Sequence, residues 1–536
     1  MSDEYIWWRD GIIYQIYPRS FMDANNDGVG DLKGIITHLD YLADLGVDAI
    51  WLSPVYPSPD KDFGYDVSNY VDIDPRFGNM ADFDELISAA HHRQIRVMMD
   101  LVLNHTSNQH PWFQQSRRSQ DNPYRDWYLW RPCRGGSKPP NNWQSVFGGK
   151  GWEYDLKTGE YYFHMFLREQ PDLNWRNPEV RAAMLNVFRF WLDRGVDGFR
   201  LDVFNGYFKD AALRDNPGRF GLRGFDRQQH IYDADQPELL PLLGEIRTML
   251  DSHGSNYAVG ETFLSSPEKA LKYSAPGKLH AAFNFKVTQQ HWQAARFARC
   301  IWEWEELNQP DGWPSYVLNN HDIPRSTTRY HFDLADRMSK VAAAMLLTLR
   351  GTPFMYYGEE IGMRDVRLSR TEIMDPPGKK YWPLYKGRDG CRAPMQWNDH
   401  PQAGFSTVKP WLKVHPEYRK RNVQQQLADL DSLLNFYRAA IRLRRNTPAL
   451  TRGTFRLLEG MPSSVLAYIR EQNSQKVLVI LNFGTGRAVT PMPEWVNPRS
   501  VKLLLNSRAE NELAISQNER ITLAPAQALI LDVSQA

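Results

Sequence analysis

Short apolar runs alternate along most of the chain with longer stretches whose apolar positions recur every three or four residues. This alternation is typical of βα units, in which each strand of a parallel sheet is followed by a helix. Eight such units predict a closed (β/α)8 barrel, the TIM barrel of the α/β class, rather than an open sheet. The predicted strands are 12–17, 49–53, 96–102, 198–203, 257–263, 281–285, 315–320 and 353–358.

Two of the intervening helices have recognisable ends. Over 31–46 the Leu and Ile residues fall on one face, and Gly46 stands where a helix commonly ends. Over 178–195 a similar stripe begins with Pro178 and stops at Gly195, because proline is favoured in the first turn and glycine after the last. The sequence therefore predicts a single helix in each segment.

Two regions depart from the βα pattern. Residues 104–172, after the third predicted strand, are rich in Trp, Gly, Pro and Asn, and are too long for a plain loop. We interpret them as a small domain inserted over the C-terminal face of the barrel. From 451 to 536, short alternating strands are separated by Gly, Pro and Asn, which predicts an all-β C-terminal domain. The barrel itself is predicted to comprise 1–103 and 173–450.

Charge and composition narrow the class of partner. The 64 Lys and Arg residues balance 63 Asp and Glu residues, so no strong field attracts nucleic acid or an anionic membrane. The sequence contains neither a signal-peptide pattern at its start nor a run of about 18 apolar residues. Three widely spaced cysteines predict neither a disulfide framework nor a zinc site. We expect a cytoplasmic monomer or homodimer that binds a small neutral or weakly charged molecule.

Polar residues follow four of the predicted strands, at the ends that converge on one pocket in a TIM barrel. Each motif alone is typical of a strand-end cap. Three carboxylates, an arginine and two histidines at such positions together predict a catalytic site. The residues in question are Asp100, Asn104, His105, Arg200, Asp202, Glu261, Asn320, His321 and Asp322.

Two of these carboxylates match the needs of retaining glycosidic cleavage, in which an ionised nucleophile attacks the anomeric carbon and a protonated carboxyl donates to the leaving oxygen. Arg200 lies two residues before Asp202, on the same face of the strand, so its charge is expected to give Asp202 a low pKa. Glu261, between apolar Val259 and Phe263, is expected to have a raised pKa. Asp202 is the predicted nucleophile and Glu261 the predicted acid/base.

A separate segment, residues 23–31, has the ligand spacing of a calcium loop, with Gly28 at the turn position. Position 12 of an EF-hand would be Gly34, so the bidentate glutamate is missing and an EF-hand is excluded. The spacing predicts a bound Ca²⁺ ion, with an ion-free Asn/Asp/Gly turn as the alternative, and we expect no organic cofactor. The expected ligands are Asp23, Asn25, Asp27, the Val29 carbonyl and Asp31.

Four motifs, in order, resemble the signature regions of the α-amylase superfamily, glycoside hydrolase family 13, and the resemblance covers essentially the whole chain. It implies Asp202 as nucleophile, Glu261 as acid/base, and Asp322 as the carboxylate that binds and distorts the first glucose. Gln170-Pro-Asp-Leu-Asn-Trp175 looks like the mark of the oligo-1,6-glucosidase group. The resemblance also implies that the 23–31 loop holds a structural Ca²⁺ ion, or Mg²⁺ in its place. The four motifs are Asp100-Leu-Val-Leu-Asn104-His105, Gly198-Phe-Arg200-Leu-Asp202, Gly260-Glu261 and Asn320-His321-Asp322.

Two further segments, 62–66 and 392–397, are similar to the subsite segments of that group. They imply that Asp62 and Arg392 bind the far hydroxyls of the non-reducing glucose, while Tyr65 stacks on its ring. Such a closed pocket implies exo-acting cleavage, and the two histidines are expected to bind sugar hydroxyls. The expected substrate-binding residues are Asp62, Tyr65, His105, Phe147, Phe166, Gln170, Arg200, His321 and Arg392.

The choice of linkage depends on Val203, because valine after the nucleophile accompanies α-1,6 cleavage in that group. The following residues, 204–206, depart from its usual Ile-Asn continuation. We expect a retaining exo-acting α-glucosidase of the isomaltase type, active on short oligosaccharides or disaccharides. An α-1,4-preferring glucosidase and a sucrose-active transglucosylase or isomerase are the alternatives, although the isomerase Arg-Leu-Asp-Arg hallmark is absent. A non-catalytic homologue would lack the three carboxylates that are present here.

Overall fold

The computed structural model describes residues 4–262, 266–307, 312–331, 336–508 and 520–534. Every helix within these ranges is too short or too polar to cross a membrane. Phe263, which we expected beside Glu261, lies outside the described residues.

Eight parallel strands close into a barrel in which the first strand pairs with both the second and the last. Each strand overlaps one of the predicted runs, so the fold prediction is confirmed. Apart from Arg96, every residue of these strands is buried, because the barrel interior and the surrounding helices cover both faces. Numbered in chain order among all strands, they are β1 (Ile13–Ile16), β2 (Ala49–Leu52), β3 (Arg96–Leu101), β7 (Gly198–Leu201), β8 (Tyr257–Gly260), β9 (Ala281–Asn284), β10 (Ser315–Val317) and β11 (Thr352–Tyr356).

The helices surround the barrel and fill its connections. They are α1 (Trp7–Asp10), α2 (Leu32–Ile36), α3 (Leu39–Leu45), α4 (Met80–His92), α5 (Pro111–Ser116), α6 (Pro178–Asp193), α7 (Leu239–Ser252), α8 (Pro267–Tyr273), α9 (Ala294–Leu307), α10 (Ser326–Arg329), α11 (Arg337–Thr348), α12 (Pro376–Tyr381), α13 (Val423–Ala428), α14 (Leu433–Arg445) and α15 (Pro448–Thr451). The helix predicted from Pro178 is observed as α6, and Gly195 follows it with a φ of 90°.

The single helix predicted over 31–46 is wrong, because α2 and α3 are separated at Thr37 and His38. The Thr37 hydroxyl donates to the Gly34 carbonyl at 2.8 Å, and the His38 ring lies 3.1 Å from the same oxygen. Such local side-chain bonds compete with the helical ladder. Gly46 does end α3, in the left-handed conformation that glycine adopts without strain.

The inserted segment contains a three-stranded antiparallel sheet, in the order β4 (Trp130–Arg131), β6 (Glu160–Phe163), β5 (Trp152–Asp155). An isolated bridge between His105 and Asp172 joins the two ends of the segment. Its aromatic core includes Trp143 and Phe163, and also contacts Val203, which follows β7 of the barrel. These contacts hold the inserted sheet over the C-terminal end of the barrel strands.

The C-terminal region forms a five-stranded antiparallel sheet against the side of the barrel. Phe483 lies 4.4 Å from the Trp292 ring and 5.4 Å from the Phe297 ring, centroid to centroid, so the sheet packs beside α9. The sheet order is β12 (Thr454–Leu457), β13 (Val465–Gln472), β14 (Gln475–Asn482), β18 (Ala528–Asp532), β16 (Lys502–Asn506), with β15 (Ala488–Pro491) and β17 (Arg520–Leu523) forming a separate pair.

Candidate active site

A pocket of about 210 Å³ opens at the C-terminal end of the barrel strands, beneath the inserted sheet. We call it the central pocket. All three predicted catalytic carboxylates contribute to its wall. Of the predicted residues it is lined by Asp62, Tyr65, His105, Phe147, Phe166, Asp202, Glu261 and Asp322, and in addition by Val146, Val203 and Arg388.

One buried guanidinium joins three strand ends under this pocket. Arg200, only 1% exposed, donates through Nη1 to Asp100 Oδ1 at 2.7 Å and Asp202 Oδ1 at 2.6 Å. Its Nη2 donates to Glu261 Oε2 at 2.5 Å. The parallel register places Asp100 beside Arg200 on neighbouring strands β3 and β7, and β8 delivers Glu261 next to them. Asp202 and Glu261 therefore lie at adjacent nitrogens of one guanidinium.

A second polar network supports the opposite wall. The Tyr65 ring stacks on His321 at a centroid distance of 5.3 Å, and its hydroxyl lies 2.5 Å from His321 Nε2 and donates to Asp100 Oδ2 at 3.0 Å. Gln15 donates to His321 Nδ1 at 2.8 Å, so Nε2 carries the proton that faces Tyr65 and Asp322. Burial lowers the pKa of His321 to about 3, so this ring is neutral.

Arg388 closes the far end of the central pocket, and sequence reasoning missed it. Its Nη2 donates to Asp62 Oδ1 at 2.6 Å and to Asp375 Oδ1 at 2.7 Å, and its Nη1 donates to Asp322 Oδ1 at 3.2 Å. The arginine that lines this end of the pocket beside Asp62 is thus Arg388, whereas the resemblance implied that Arg392 binds the sugar together with Asp62. The available signal was Arg388 in the Gly387–Gly390 segment just before the quoted motif, because binding residues lie disproportionately on loops held by a rigid scaffold.

Four of the expected substrate-binding residues lie behind the wall rather than on it. Arg392 is fully buried, donating to the His321 carbonyl at 2.7 Å and to Asp322 Oδ1 at 2.9 Å. Gln170, also fully buried, lies 3.1 Å from His105 Nε2 and 3.2 Å from Asp62 Oδ2. These side chains, like Arg200 and His321, orient the groups that line the pocket.

Comparison with known protein sequences and structures shows the family to which the chain belongs. A family model described as alpha amylase, catalytic domain, matches residues 15–453. The chain belongs to the alpha-amylase family. It is 39% identical to an oligo-1,6-glucosidase of Parageobacillus thermoglucosidasius, with 99% of each chain covered, and 43% identical to a probable alpha-glucosidase of Rhizobium meliloti, with 91% of each covered. The solved structure of the alpha-glucosyl transfer enzyme XgtA matches 99% of this chain and 100% of its own, with a TM-score of 0.93 and 40% identity.

In this alpha-amylase family hydrolase, the pKa of Asp202 is not low as expected. Burial raises it well above the usual value, and the charges of Glu261 and Asp100 raise it further, against the opposing effect of Arg200. Arg200 does not offset this burial, because its one guanidinium is divided between three carboxylates, and the spacing of Arg200 and Asp202 revealed neither the burial nor the division. Burial also raises the pKa of Asp100, to about 6.

At Asp322, unlike at Asp202, the neighbouring groups outweigh the effect of burial on the pKa. Burial alone would raise its pKa, but the Nε2–H of the neutral His321 ring, 3.3 Å from Asp322 Oδ2, and the charges of Arg388 and Arg392 outweigh that effect and lower the pKa of Asp322 well below its usual range. Its side chain is 32% exposed toward the pocket. Asp322 is therefore an ionised carboxylate held by two arginines, ready to accept hydrogen bonds from a ligand.

The backbone is strained next to the predicted nucleophile. Val203 has a φ of 39° and a ψ of 38°, a left-handed conformation that a β-branched residue rarely adopts. Its N–H donates to Glu261 Oε2 at 3.3 Å, and its side chain lines the central pocket. Strain of this kind costs of the order of 1–3 kcal/mol and persists where the surroundings impose it. Here it brings a backbone donor to the predicted acid/base.

Two segments meet over the mouth of the central pocket in this hydrolase. The Gly148 carbonyl accepts from Lys380 Nζ at 2.6 Å, which links the inserted segment to α12. The neighbouring Phe147 ring lies 5.1 Å from the Arg388 guanidinium carbon. A Cβ on Gly148 would lie 1.7 Å from the Tyr381 hydroxyl oxygen, so only glycine permits this approach. We call Gly148, Lys380 and Tyr381 the mouth contact.

In the 23–31 loop, which has oxygen ligands suited to Ca²⁺, the buried carboxylates accept hydrogen bonds from backbone amides. Asp23 accepts from the Gly28 N–H at 2.8 Å, and Asp31 accepts from the Gly34 N–H at 2.7 Å as the N-cap of α2. Across the described ranges, no three His, Cys, Asp or Glu side chains are placed to share an ion. The other expected ligands, Asn25, Asp27 and Val29, lie on the exposed or half-buried part of the loop.

Proposed function

We propose that this glycoside hydrolase is an exo-acting α-glucosidase that removes glucose from the non-reducing end of short α-glucosides with retention of configuration. One observation carries the proposal. Asp202 and Glu261 lie at adjacent nitrogens of Arg200 and both line the central pocket. Retaining glycosidases need two carboxyl groups about 5–5.5 Å apart, closer than in inverting enzymes, and this shared guanidinium favours the closer arrangement.

The reaction proceeds by double displacement. Asp202 attacks the anomeric carbon while Glu261 gives its proton to the glycosidic oxygen, so the leaving group departs as a neutral alcohol and a glucosyl ester forms on Asp202. Glu261, now ionised, takes a proton from water, and that water attacks the anomeric carbon and frees Asp202. Arg200 remains bound to both carboxylates and compensates the charge that moves between them.

The shape of the central pocket supports exo-acting cleavage. Arg388 and Asp62 close its far end, and its small volume suits one sugar ring rather than a continuing chain. Asp62 and Asp322 offer acceptors to sugar hydroxyls, and Arg388 offers a donor between them. The apolar Phe147 and Phe166 complete a wall against which a sugar ring can pack.

For the linkage, we propose an isomaltase-type preference for α-1,6 bonds. It is supported by Val203 on the pocket wall and by full-length similarity to proteins named oligo-1,6-glucosidase. The alternative is glucosyl transfer to a sugar acceptor, which the structural similarity to XgtA, described as an alpha-glucosyl transfer enzyme, supports. Incubation with isomaltose, maltose, sucrose and trehalose, followed by chromatography of the products, separates these cases. Consumption of maltose and sucrose with isomaltose untouched would overturn the α-1,6 preference.

The catalytic assignment is tested with a chromogenic α-glucoside. We expect wild-type protein and the exposed control Asp40→Ala to release the chromophore at similar rates, and Asp202→Ala to be at least about 10⁴-fold slower. Proton NMR of the first product should show the α-anomer of glucose. Equal rates for wild type and Asp202→Ala, or a β-anomer product, would contradict the proposal.

We also propose that the 23–31 loop takes up Ca²⁺ as a structural ion, which draws the exposed Asp27 inward. The spacing of its oxygen ligands supports this. The ion would lie away from the central pocket, and no catalytic step involves it. The cytoplasmic location and the monomeric or dimeric state stay predictions.

A further inference from the structure

A cavity of about 990 Å³ lies at the N-terminal end of the barrel strands, the end opposite the central pocket. We call it the basal cavity. It is bounded by the segments that precede β1, β2 and β3 and by the α14–α15 segment that leads into the C-terminal sheet. The two spaces have no lining residue in common, so glycoside cleavage does not use the basal cavity. Its charged lining residues are Asp10, Asp48, His91, Arg93, Arg96, Arg445 and Arg452.

Buried aspartates at the starts of barrel strands hold two of these arginines. Asp48, directly before β2, accepts from Arg445 Nη2 at 2.6 Å, and Asp197, directly before β7, accepts from Arg96 Nη1 at 2.9 Å. At most 10% of either carboxylate side chain is exposed, whereas 49% of the Arg96 side chain and 42% of the Arg445 side chain are exposed. The wall therefore presents guanidinium groups to the cavity, while the compensating negative charge lies beneath them.

Arg96 and Arg445 keep donors that these pairs do not occupy. A guanidinium has five N–H donors, and each of the two arginines donates from a single nitrogen. No acceptor in the part of the chain that the structure describes binds their remaining N–H groups. Arg93 differs, because it donates to both carboxylate oxygens of Asp40. Arg96 and Arg445 are thus the two arginines of the wall that can bind a ligand without losing a partner.

The backbone places these two arginines on neighbouring parts of the wall. Arg96 begins β3, and its backbone N–H donates to the Asp48 carbonyl at 2.9 Å. The carboxylate of the same Asp48 holds Arg445, the last residue of α14. Two fixed positive charges therefore face one cavity, one from the rim of the barrel and one from the end of a helix.

We propose that the basal cavity binds a small phosphorylated molecule through Arg96 and Arg445. A tetrahedral phosphate accepts N–H groups from several directions, which suits two guanidinium groups on different parts of a wall, whereas a carboxylate accepts them in one plane. The volume lies at the upper end of the range of small-molecule pockets, about 300–1,000 Å³. A cavity of this kind suits a free ligand rather than the headgroups of a membrane surface. The site is independent of the proposed glucosidase function.

Isothermal titration of pyrophosphate into protein freed of divalent cations tests the site. We expect saturable binding by the wild type, and tighter binding of pyrophosphate than of succinate under the same conditions. Arg96→Gln and Arg445→Gln should each weaken pyrophosphate binding at least about tenfold, because each removes charge-assisted hydrogen bonds. Undiminished binding by both variants would overturn the proposal.

Both variants should fold, because each aspartate keeps a backbone donor when its arginine is removed. Asp197 still accepts from the Val97 N–H at 2.8 Å, and Asp48 still accepts from the Ile12 N–H at 2.8 Å. Melting curves without ligand verify that the variants are folded at the temperature of the titration.

Arg181→Gln is the matched control, since it removes a half-exposed arginine that pairs with Glu245 away from the basal cavity, and it should bind as the wild type does. Absence of saturable binding by the wild type, an equal loss in Arg181→Gln, or tighter binding of succinate than of pyrophosphate would contradict the assignment. So would sedimentation of the wild type, but not of Arg96→Gln, with phosphatidylglycerol vesicles, because the arginines would then serve a lipid surface.

Discussion

Arg388 donates to Asp62 at 2.6 Å across the far end of the central pocket, although the two residues lie 326 positions apart in the chain. The same guanidinium contacts Asp322 and Asp375, so it fixes three loops at once. It therefore both ends the pocket and holds the carboxylates that face a sugar.

Replacement of this guanidinium should impair the enzyme even when the charge is kept. We expect Arg388→Lys to lower kcat/KM for a chromogenic α-glucoside about 100-fold or more, because one ammonium cannot span three carboxylates in the geometry of a planar fork. Steady-state kinetics measure the effect. Arg93→Lys, at the exposed pair with Asp40, should behave as wild type. Near-normal kinetics of Arg388→Lys would show that the closed end of the pocket contributes little to binding.

Arg200 is shared between Asp100, Asp202 and Glu261, so a change at Asp100 is expected to alter the pH dependence of the activity. Asp202 attacks in its ionised form, and its raised pKa means that the ionised fraction falls as pH drops through that pKa. Asp100→Asn removes one of the negative charges that raise the pKa of Asp202. We therefore expect the acidic limb of the kcat/KM profile to move to lower pH, by about half to one unit. An acidic limb that stays in place, or moves to higher pH, would show that Asp100 does not act on Asp202 through its charge.

The mouth contact offers a matched pair of glycines. Gly148 and Gly149 have φ values of 90° and 95°, so an alanine at either costs similar backbone strain, about 1–2 kcal/mol. A Cβ at Gly148 would meet the Tyr381 hydroxyl at 1.7 Å, whereas the closest atom at Gly149 is Lys380 Nζ at 3.7 Å.

We therefore expect both glycine variants to melt at similarly lowered temperatures, while Gly148→Ala alone raises KM several-fold, because it displaces the segment that carries Phe147. Adding Tyr381→Ala to Gly148→Ala should restore KM. Melting curves give the melting temperatures, and initial rates on one chromogenic substrate give the KM values. Equal KM values for the two single variants would mean that the mouth contact does not shape the pocket.

The calcium proposal predicts a thermal response. After treatment with EDTA, added Ca²⁺ should raise the melting temperature of the wild type by several degrees, because a ligand that binds the folded state stabilises it. Asp27→Ala should lose that response and melt like the EDTA-treated wild type, since Asp27 is exposed in the ion-free loop. Identical melting curves with EDTA and with Ca²⁺ would show that amide hydrogen bonds alone hold the loop.

Much of the fold was predictable because the signals are local. A strand buried on both faces must be apolar throughout, and eight such runs separated by helical spacing have few arrangements other than a closed barrel. Gly46 and Gly195 were recognisable as helix ends for the same reason. The break at Thr37 and His38 was not, because it depends on which side chains reach the Gly34 carbonyl.

The sequence by itself determined the barrel and the candidate carboxylates Asp202, Glu261 and Asp322, since strand ends of one barrel converge. Only the tertiary structure decided which cation faces Asp62, how three carboxylates divide one guanidinium, and that Arg96 and Arg445 line one cavity. Those features depend on distances between segments far apart in the chain and on burial, which sets the strength of each charge. The spacing of residues along one strand gives neither these distances nor the burial.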